Sequence, residues 1–553
     1  MTLAYPTRCQ LLHDRVASAF RRIEARESAY ETITVGQLVS MRARTDGSTK
    51  AIDVFERGER ATYSEIDRWS NKYAHALRAF GVRKGDRIGV MLPNRIEFPI
   101  LWFAFAKCGA VMVPLSMAYT SREIEYVLSD TQAKVAIVDE SAWPMFTAMK
   151  PWPQDLAKEQ VVLVGQPSAG AATTLDELCK GVDETPVDED VRPDDLLNIQ
   201  YTSGTTGFPK GCMLTHDYWG VVSYASVYHD YQPHRRQLST TPFFYVSTQM
   251  YLLKSYRQGG TLYLATQLRS TRFIAWIKRY GIEWCLFPES ITHQPEATAE
   301  ALTCLKEVGR TGRHWSPETV RRFRERFGVR SSYWYGMTEI GYGTQTIDID
   351  EMNDPSTVGI RSPFRALRCV NEDGSPTPVG EVGELWVKGR AIFQGYWNSP
   401  EANAAAFEGE WFKTGDLLRR DELGFHWFVG RKKDMIRRLD ADENISACEV
   451  EAVLCEIPEI ADVAAVPVPH DERGEEVKIY VELKEGVTPT DLPVERILEH
   501  ACSRLAVFKV PRYIAFTPAL PRTTSSNKVL KRALMNVSDP LAGTYDSEQK
   551  RWR

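Results

Sequence analysis

Several kinds of segment are missing from this 553-residue sequence. No stretch approaches the roughly 18 to 20 consecutive apolar residues that cross a membrane, so no membrane span is expected. The first residues, MTLAYPTRCQLLHDRV, contain no apolar segment after a basic one and so do not resemble a secretory signal. The ten cysteines are scattered, with no C-x-x-C and no histidine at a paired spacing, which disfavours a disulfide framework or a structural zinc site. Reduced thiols favour a cytoplasmic location.

The sequence also lacks an excess of positive charge. Its formal net charge is -5, which argues against a broad basic surface for nucleic acid. The basic run Arg321-Arg322-Phe323-Arg324 is interpreted as a solvated helix face, as charge runs usually are. With 43% hydrophobic residues the composition is that of an ordinary globular protein, and its 553 residues predict at least two domains.

The most informative segment that is present is 201–211, which reads YTSGTTGFPKG. Glycines permit turns that aim backbone N–H groups inward, the hydroxyls add donors, and Lys210 adds positive charge, so the segment predicts a loop around nucleotide phosphates. It differs from the pattern G-x-x-x-x-G-K-[ST], because Phe208 and Pro209 separate Gly207 from Lys210. The alternative is a polar connecting loop on the surface.

Elsewhere the chain alternates short apolar runs with helical patterns. Residues 87–92 and 134–138 are typical of buried strands, whereas residues 97–109 and 121–129 have helical spacing. This alternation predicts parallel α/β layers.

The pattern changes near Arg431. Strand and turn signals dominate from residue 383 to residue 427, and a compact βαβ-like unit is predicted beyond, with helices at 445–455 and 493–505 and strands at 461–468 and 476–483. We therefore predict an α/β fold class, with a large multi-layer N-terminal domain over residues 1–432 and a small, mobile α+β C-terminal domain over residues 433–553.

Four further motifs follow the phosphate loop in order. They read Tyr335-Gly336-Met337-Thr338-Glu339, Lys413-Thr414-Gly415-Asp416, Gly430-Arg431-Lys432-Lys433-Asp434 and Lys528-Val529-Leu530-Lys531. In this order and at this broad spacing the chain resembles the acyl-adenylate-forming enzymes, a superfamily of acyl-CoA synthetases, adenylation domains and luciferases, and it is most similar to the acyl-CoA synthetases. The resemblance runs from residues 62–77 near the start to the final lysine motif.

The resemblance implies an activity and its cofactors. A carboxylic acid would attack ATP in the presence of Mg²⁺, releasing pyrophosphate and forming acyl-AMP, and the acyl group would pass to CoA. It also implies that the small domain caps the large one in two orientations about a hinge at Lys433. The alternative is that Lys432 and Lys433 are exposed linker charges.

The resemblance also assigns roles to the residues of the motifs. Thr338 would bind the α-phosphate, Glu339 would bind Mg²⁺, and Asp416, supported by Arg431, would accept both ribose hydroxyls. Without the resemblance, Glu339 is typical of a helix start and Asp416 of a turn after Gly415. The full set implied to bind ATP is Thr202, Ser203, Gly204, Thr205, Thr206, Gly207, Lys210, Tyr335, Gly336, Met337, Asp416 and Arg431.

Lys528 is the residue implied to bridge the carboxylate and the α-phosphate. Asn527 precedes it where the family more often has glycine, and the loop is one residue longer than usual. Asparagine tolerates left-handed backbone angles better than most residues. Lys531, one helical turn further on, is the alternative catalytic lysine.

The acid site is implied to include Tyr245, Gln249, Gly312, Gly336 and Gly341. Amino-acid-activating relatives usually place an aspartate in the segment that here reads PFFYVS at 242–247, and no acidic residue occurs there. An apolar or aromatic acid is therefore favoured over an amino acid. We interpret residues 291–308 as a short helical region, which predicts a broad pocket for a bulky acid, and Arg313 and His314 beyond it either line that pocket or are plain surface residues.

Two departures from the family bear on the acyl acceptor. The turn at 439–442 has no glycine and carries Asp440 and Asp442, and Tyr245 stands where many relatives have histidine. These features favour adenylation with weak CoA ligation and transfer of acyl-AMP to a separate enzyme or carrier protein, although a longer turn could simply bulge into solvent. A non-catalytic nucleotide-binding protein is disfavoured because Lys528, Glu339 and Asp416 are retained, and the sequence leaves open a monomer or a homodimer.

Overall fold

The computed structural model describes residues 5–168, 173–202, 209–227, 233–311, 315, 317–347, 357–438, 443–470, 473–523 and 528–553. Its α-helices are α1 Tyr5–Ser28, α2 Val35–Asp46, α3 Tyr63–Ala79, α4 Glu97–Cys108, α5 Ser121–Asp130, α6 Trp143–Thr147, α7 Leu175–Leu178, α8 His216–Val227, α9 Val246–Gln258, α10 Ser270–Tyr280, α11 Pro317–Phe327, α12 Pro400–Ala406, α13 Ala447–Leu454, α14 Val494–Cys502 and α15 Lys531–Met535.

The strands are also numbered in chain order. The first part of the chain contains β1 Lys50–Val54, β2 Glu59–Thr62, β3 Arg87–Met91, β4 Val111–Pro114, β5 Val135–Asp139, β6 Val161–Val164, β7 Thr173–Thr174, β8 Leu196–Thr202, β9 Lys210–Thr215, β10 Arg236–Ser239, β11 Thr261–Leu264, β12 Trp284–Pro288, β13 Glu307–Thr311, β14 Arg330–Ser332, β15 Gly336–Met337 and β16 Gly341–Tyr342. The later part contains β17 Thr344–Gln345, β18 Thr357–Arg361, β19 Arg365–Val370, β20 Val382–Gly389, β21 Phe407–Glu408, β22 Trp411–Arg420, β23 His426–Arg431, β24 Met435–Arg438, β25 Glu443–Ser446, β26 Ile460–His470, β27 Gly474–Leu483, β28 Tyr513–Thr517, β29 Tyr545–Asp546 and β30 Arg551–Trp552.

Two mostly parallel sheets form the centre of the molecule. One has the order β7-β6-β5-β3-β4-β8-β9 and the other the order β14-β13-β12-β10-β11-β1-β2, each with an antiparallel pair at one edge. The largest core cluster joins Ile52 of the second sheet and Ile88 of the first with the side chains of α4. Helix α4 is apolar on nearly all sides, as expected of a helix buried between layers.

The sequence marks the ends of several of these helices. Capping boxes at Thr62 and Thr120 start α3 and α5, and Gly109, at a left-handed φ of 73°, ends α4. The strands and helices predicted from residues 87 to 138 are confirmed, as is the parallel α/β arrangement.

Two further sheets complete the fold. The antiparallel order β17-β18-β23-β22-β20-β19 lies before residue 432, and the order β25-β24-β27-β28-β29-β30, with β26 beside β27, lies after it. In the C-terminal unit the predicted helix, two strands and helix are present, but β26 and β27 pair antiparallel, so this part is not a βαβ crossover. Ile445 and Ser446 belong to β25 rather than to the predicted helix, which begins at Ala447.

Two predictions about the surface can be compared with the fold. The run at 321–324 lies on α11, where Arg321 and Arg322 are mostly exposed and pair with Glu318 at 2.7 and 2.8 Å, so the solvated helix face is confirmed. Among the described residues, no helix is both long enough and apolar enough to span a bilayer.

Candidate active site

The predicted phosphate loop connects two paired strands. β8 ends at Thr202 and β9 begins at Lys210, and these residues face each other in the antiparallel register. The Thr202 hydroxyl donates to the Lys210 carbonyl at 3.5 Å. Ser203, Gly204, Thr205, Thr206 and Gly207 lie outside the described residues. The structure thus fixes both ends of the loop and brings Thr202 next to Lys210.

The strand that follows the loop is backed by residues 394–397. Met213 N donates to Gly395 O at 3.0 Å, and Trp397 N donates to Gly211 O at 2.8 Å. This pairing places Tyr396 beneath Lys210, whose Nζ lies 5.0 Å from the centroid of the tyrosine ring, within the range of a cation–π interaction.

Glu339 lies in the turn between β15 and β16, so the alternative of a helix-start residue is wrong. Its side chain is buried, and the Tyr396 hydroxyl donates to Glu339 Oε1 at 2.9 Å. Phe393 N donates to the Glu339 carbonyl at 2.8 Å. Burial raises the pKa of the Glu339 carboxyl, whereas the Tyr396 hydrogen bond and the charge of Arg431 oppose that rise.

The hairpin that carries Glu339 requires glycine at two positions. Gly336 faces Tyr342 and Met337 faces Gly341 across the hairpin. A Cβ atom on Gly341, which has a φ of 64°, would lie 2.4 Å from Val222 Cγ2, and one on Gly336 would lie 2.3 Å from the Gly341 carbonyl oxygen. The close packing fixes the path of the backbone through Thr338, whose carbonyl accepts a 2.8 Å hydrogen bond from the Tyr218 hydroxyl.

Asp416 and Arg431 face each other on β22 and β23. The alternative of Asp416 as a turn residue is therefore wrong, because it lies within a strand. Arg431 Nε is 3.7 Å from Asp416 Oδ1, and the Tyr335 hydroxyl donates to Asp416 Oδ2 at 2.7 Å. Burial raises the pKa of the Asp416 carboxyl, against the opposing effects of Tyr335 and Arg431. Residues from three separate sequence motifs thus meet at one carboxylate.

Lys528, in the C-terminal part of the chain, lies within electrostatic range of the same residues. Its charge interacts with the charges of Arg431, Glu339 and Asp416. Lys528 is solvent-exposed. Partial desolvation lowers the pKa of its ammonium, the charge of Arg431 lowers it further, and the two carboxylates oppose this.

The ends of the lysine loop are joined locally. Thr523 N donates to the Lys528 carbonyl at 2.8 Å, Lys528 N donates to Thr523 Oγ1 at 3.1 Å, and Arg522 and Val529 form a β-bridge. Asn527 lies outside the described residues.

Lys531, the alternative catalytic lysine, is held inside the C-terminal part. Its Nζ is 2.7 Å from Glu451 Oε1, and the same oxygen accepts a hydrogen bond from Ala465 N at 2.8 Å. The geometry favours Lys528 over Lys531 as the lysine that meets Glu339 and Asp416.

The two lysines near the predicted hinge have different partners. Lys432 Nζ lies 3.2 Å from Glu384 Oε2, and Glu384 Oε1 accepts a hydrogen bond from Gly415 N at 3.1 Å. Lys433 Nζ lies 3.9 Å from its neighbour Asp434 and is about half exposed. Lys432 is therefore attached through Glu384 of β20 to Gly415, the residue before Asp416 in β22. The alternative of a plain linker charge fails for this lysine.

Two amide side chains hold the predicted acid-binding segment. Gln249 is fully buried; its Nε2 donates to Phe243 O at 3.0 Å and its Oε1 accepts from Asn198 at 3.2 Å. Gln200 Nε2 donates to Phe244 O at 2.8 Å. Gln249 thus supports the backbone at 243, and a direct contact with the substrate stays a prediction.

Tyr245 directly precedes α9. Its ring lies 4.2 Å from that of Phe244, and burial raises the pKa of Tyr245 to about 12. Gly312, together with Arg313 and His314, lies outside the described residues.

The prediction of a short helical region at 291–308 is wrong. Residues 289–293 and 300–302 form separate 3-10 turns, and β13 already begins at Glu307. Pro295 has no N–H donor and restricts the residue before it, which disfavours a continuous helix. A broad pocket therefore no longer follows from the length of this region.

The sequence motifs did not identify Tyr396 or Gln200. Tyr396 contacts a carboxylate 57 positions away, and Gln200 supports a carbonyl 44 positions away. No local spacing marks such contacts, because they depend on how the strands are ordered in the sheets.

Comparison with sequence families decides the identity. The AMP-binding enzyme family matches residues 40–397, and the AMP-binding enzyme C-terminal domain matches residues 449–527. The chain belongs to the AMP-binding enzyme family. Its family relatives include a feruloyl-CoA synthase from Amycolatopsis sp., 31% identical over 88% of this chain and 95% of that protein. The long-chain-fatty-acid-CoA ligase FadD13 from Mycobacterium tuberculosis is 28% identical over 90% of this chain and 97% of that protein.

Solved structures share the family fold. ATP-bound MatB from Rhodopseudomonas palustris has a TM-score of 0.78 and 26% identity, covering 91% of this chain and 98% of that chain. The anthranilate CoA ligase AuaEII, solved with anthranoyl-AMP, has a TM-score of 0.83 over 92% of this chain and 98% of that chain; at 22% identity it shows the fold alone.

Proposed function

We propose that this member of the AMP-binding enzyme family is an AMP-forming acid-CoA ligase. It would use ATP and Mg²⁺ to convert a carboxylic acid to acyl-AMP and pyrophosphate, and then transfer the acyl group to CoA. The observation that carries the proposal is the meeting of Tyr335, Asp416 and Arg431 at one buried carboxylate. Lys528, from the C-terminal part, lies within electrostatic range of Asp416 and Arg431 and also of Glu339. The relatives named as CoA ligases support the same reaction class.

The nucleotide would be held at both ends. Asp416 is a buried carboxylate with two acceptor oxygens, suited to the ribose hydroxyls, and the Tyr335 hydroxyl fixes one of those oxygens at 2.7 Å. Thr202, Lys210 and the loop between them would take the β- and γ-phosphates, while Thr338 would bind the α-phosphate. This arrangement aligns the α-phosphate with the acid, and positioning of this kind is a large part of such catalysis.

Lys528 would act where charge accumulates. Carboxylate and phosphate repel each other as the acid oxygen attacks phosphorus, and an ammonium between them stabilises the transition state. The residues of the large part supply charges of both signs around this position, the positive charge of Arg431 and the negative charges of Glu339 and Asp416.

Glu339 has the chemistry expected of a Mg²⁺ ligand. Mg²⁺ prefers hard oxygen ligands and is commonly bound by one or two carboxylates together with substrate phosphates. Glu339 is a buried carboxylate joined through Tyr396 to the lysine of the phosphate loop. Within the described part of the chain, no group of three or more His, Cys, Asp or Glu side chains forms a metal cage. When bound, Mg²⁺ would neutralise charge on the phosphates.

We also propose two domains, residues 1–432 and residues 433–553, with the hinge at Lys433. The change of sheet on either side of residue 432 supports this boundary. Lys432 stays attached to Glu384, whereas Lys433 contacts its neighbour Asp434, so rotation beginning at Lys433 would leave the Asp416 strand in place.

The acid would be apolar or aromatic. Aromatic side chains Phe243, Phe244 and Tyr245 form the predicted acid-binding segment, and a substrate ammonium would have no carboxylate partner there. The feruloyl-CoA synthase among the relatives acts on an aromatic acid, which agrees with this proposal. By the family resemblance Gly336 and Gly341 would line the pocket, and glycine is required at both positions because a Cβ atom at either would collide with its neighbours.

A panel of acids assayed with and without CoA tests the proposal. Pyrophosphate release is followed for aromatic acids, fatty acids and amino acids, and acyl-AMP and acyl-CoA are separated by mass spectrometry. We expect release with an aromatic or apolar acid and a CoA thioester as the product. Accumulation of acyl-AMP in the presence of CoA would favour the alternative, transfer to a separate enzyme or carrier protein. Robust turnover of a common amino acid, or no ATP-dependent release with any acid, would contradict the proposal.

A further inference from the structure

Tyr396 touches both the carboxylate and the lysine that the proposed function assigns to the magnesium-bound phosphates. Its hydroxyl donates to Glu339 Oε1 at 2.9 Å, and its ring lies 5.0 Å from Lys210 Nζ. Polar and aromatic faces of one side chain thus contact two residues from different motifs.

The backbone of Tyr396 is itself held by a side chain. Asn403 Oδ1 accepts from Tyr396 N at 2.7 Å, and Asn403 Nδ2 donates to Tyr396 O at 2.9 Å. The ring also packs against Phe393, 4.9 Å away, whose N–H binds the carbonyl of Glu339. Tyr396 therefore has little freedom to turn away from the carboxylate.

We propose that Tyr396 is a positioning residue that aims the Glu339 carboxylate at the metal and ties it to Lys210 of the phosphate loop. The inference rests on the proposed function, since it assumes that Glu339 meets Mg²⁺ and that Lys210 meets phosphate. Partners that hold a metal-binding carboxylate or histidine commonly change metal affinity by about 10- to 100-fold when they are removed.

The chemistry of the pair fits this role. A buried carboxylate keeps its charge more easily when it accepts a hydrogen bond, and the phenol supplies one. The ring face attracts the Lys210 ammonium without forming a salt bridge that would compete with phosphate.

Two substitutions separate the two contacts. Tyr396→Phe removes the hydroxyl and keeps the ring, so only the Glu339 contact is lost. Tyr396→Leu removes both. Tyr63→Phe is the control, because Tyr63 is a buried tyrosine whose hydroxyl donates to Gly260 O at 2.5 Å, in a core region away from Glu339 and Lys210.

The measurement is metal binding with nucleotide, which does not require the acid to be known. Mn²⁺ replaces Mg²⁺, and electron paramagnetic resonance reports its binding in the presence of ATP. We expect Tyr396→Phe to weaken Mn²⁺ binding about 10-fold and to raise the Mg²⁺ concentration needed for half-maximal pyrophosphate release by a similar factor. Tyr396→Leu should weaken ATP binding by a further 2- to 5-fold or so, through loss of the ring beneath Lys210.

The outcomes distinguish this inference from the proposed function. If the wild-type chain binds no Mn²⁺ with ATP, the proposed function fails and the role of Tyr396 fails with it. Suppose instead that the wild-type chain binds Mn²⁺ with ATP and that circular dichroism shows Tyr396→Phe to be folded. If the variant then binds Mn²⁺ with an affinity within twofold of wild type, the Tyr396 proposal alone is overturned. An equal loss in Tyr63→Phe would overturn it too, since the effect would then be structural.

Discussion

The region around Glu339 and the segment that carries Lys528 are electrostatically coupled but are held in different ways. Glu339 is fixed by Tyr396 and Phe393, residues more than 50 positions further along the chain. Lys528 is held by its near neighbours, through Thr523 and the bridge between Arg522 and Val529. Contacts between distant segments of the large part position the first region, whereas contacts within the C-terminal part position the second.

This difference predicts which measurement each region controls. Changes around Glu339 and Asp416 should alter the binding of nucleotide and metal, because those residues belong to the same part of the chain as the predicted phosphate loop. Changes at Lys528 should alter the rate of acyl-AMP formation. The following substitutions test that division, beginning with the largest expected effect.

Lys528→Ala should reduce acid-dependent pyrophosphate release by at least about 100-fold, because one charge contact to the transition state is lost. ATP affinity, measured by calorimetry, should fall far less than the rate, because Asp416 and the phosphate loop still hold the nucleotide. Lys531→Ala is the comparison, since Lys531 is bound to Glu451 within the C-terminal part, and it should lower the melting temperature more than the rate. Full activity of Lys528→Ala would transfer the catalytic role to Lys531.

Lys528→Arg should change the pH dependence of the first half-reaction. The pKa of Lys528 is lowered, so its ammonium loses its proton at a lower pH than an ordinary lysine, and wild-type activity should fall as pH rises through that pKa. Arginine stays charged, so the variant should lose this alkaline decline even if its rate is lower. Both proteins should keep the decline at acidic pH, because burial raises the pKa values of Glu339 and Asp416. If the activity of both proteins declined at the same alkaline pH, the protonation of Lys528 would not control the rate-determining step.

Tyr335→Phe should raise the KM for ATP about 10-fold with a smaller change in kcat. The substitution removes the hydrogen bond to the buried Asp416 carboxylate, and a bond to a charged group contributes about 1.5 to 3 kcal/mol. Stacking of the ring on Phe428 is retained, so the fold should survive. An unchanged KM, or a loss confined to kcat, would contradict the role of Asp416 in nucleotide binding.

His426→Leu should have the smallest effect, on stability alone. His426 is buried in β23, the strand that carries Arg431, and burial lowers its pKa to about 4. Because the unfolded chain takes up a proton near pH 6.5 and the folded chain does not, the stability that depends on neutral His426 is present above that pH and is lost as pH falls toward 4. From pH 7 to pH 5 this loss is about 2 kcal/mol, and in the variant the melting temperature should fall less over the same range. An equal fall in both proteins would assign the acid sensitivity to other groups.

The sequence predicted those parts of the fold whose signals are local. Apolar runs at 87–92 and 134–138 became β3 and β5, and the helical patterns beside them became α4 and α5. The prediction failed at 291–308, which we interpreted as a short helical region but where Pro295 and the turns around it produced two 3-10 segments.

The residues of the candidate site also fall into those that local motifs predicted and those that they did not. Asp416 and Arg431 were found from their motifs, and their position opposite each other on β22 and β23 is a consequence of strand pairing that motifs do not encode. Tyr396 was missed because nothing near it in sequence is chemically unusual, and its importance appears only when β9 lies beside residues 394–397.

The charges around Lys528 link the position of the C-terminal part to the nucleotide. Desolvation lowers the pKa of Lys528, and repulsion by the like charge of Arg431 lowers it further. A polyanion between the two cations would turn that repulsion into attraction, so nucleotide would bind more tightly when the C-terminal part lies as it does here. ATP binding and the orientation of the C-terminal part would then be coupled, and such coupling is reciprocal. ATP would favour this orientation by the same factor by which this orientation increases the affinity for ATP. Release of pyrophosphate removes most of that negative charge, so the chemical step itself would weaken the hold on Lys528 and free the C-terminal part to move.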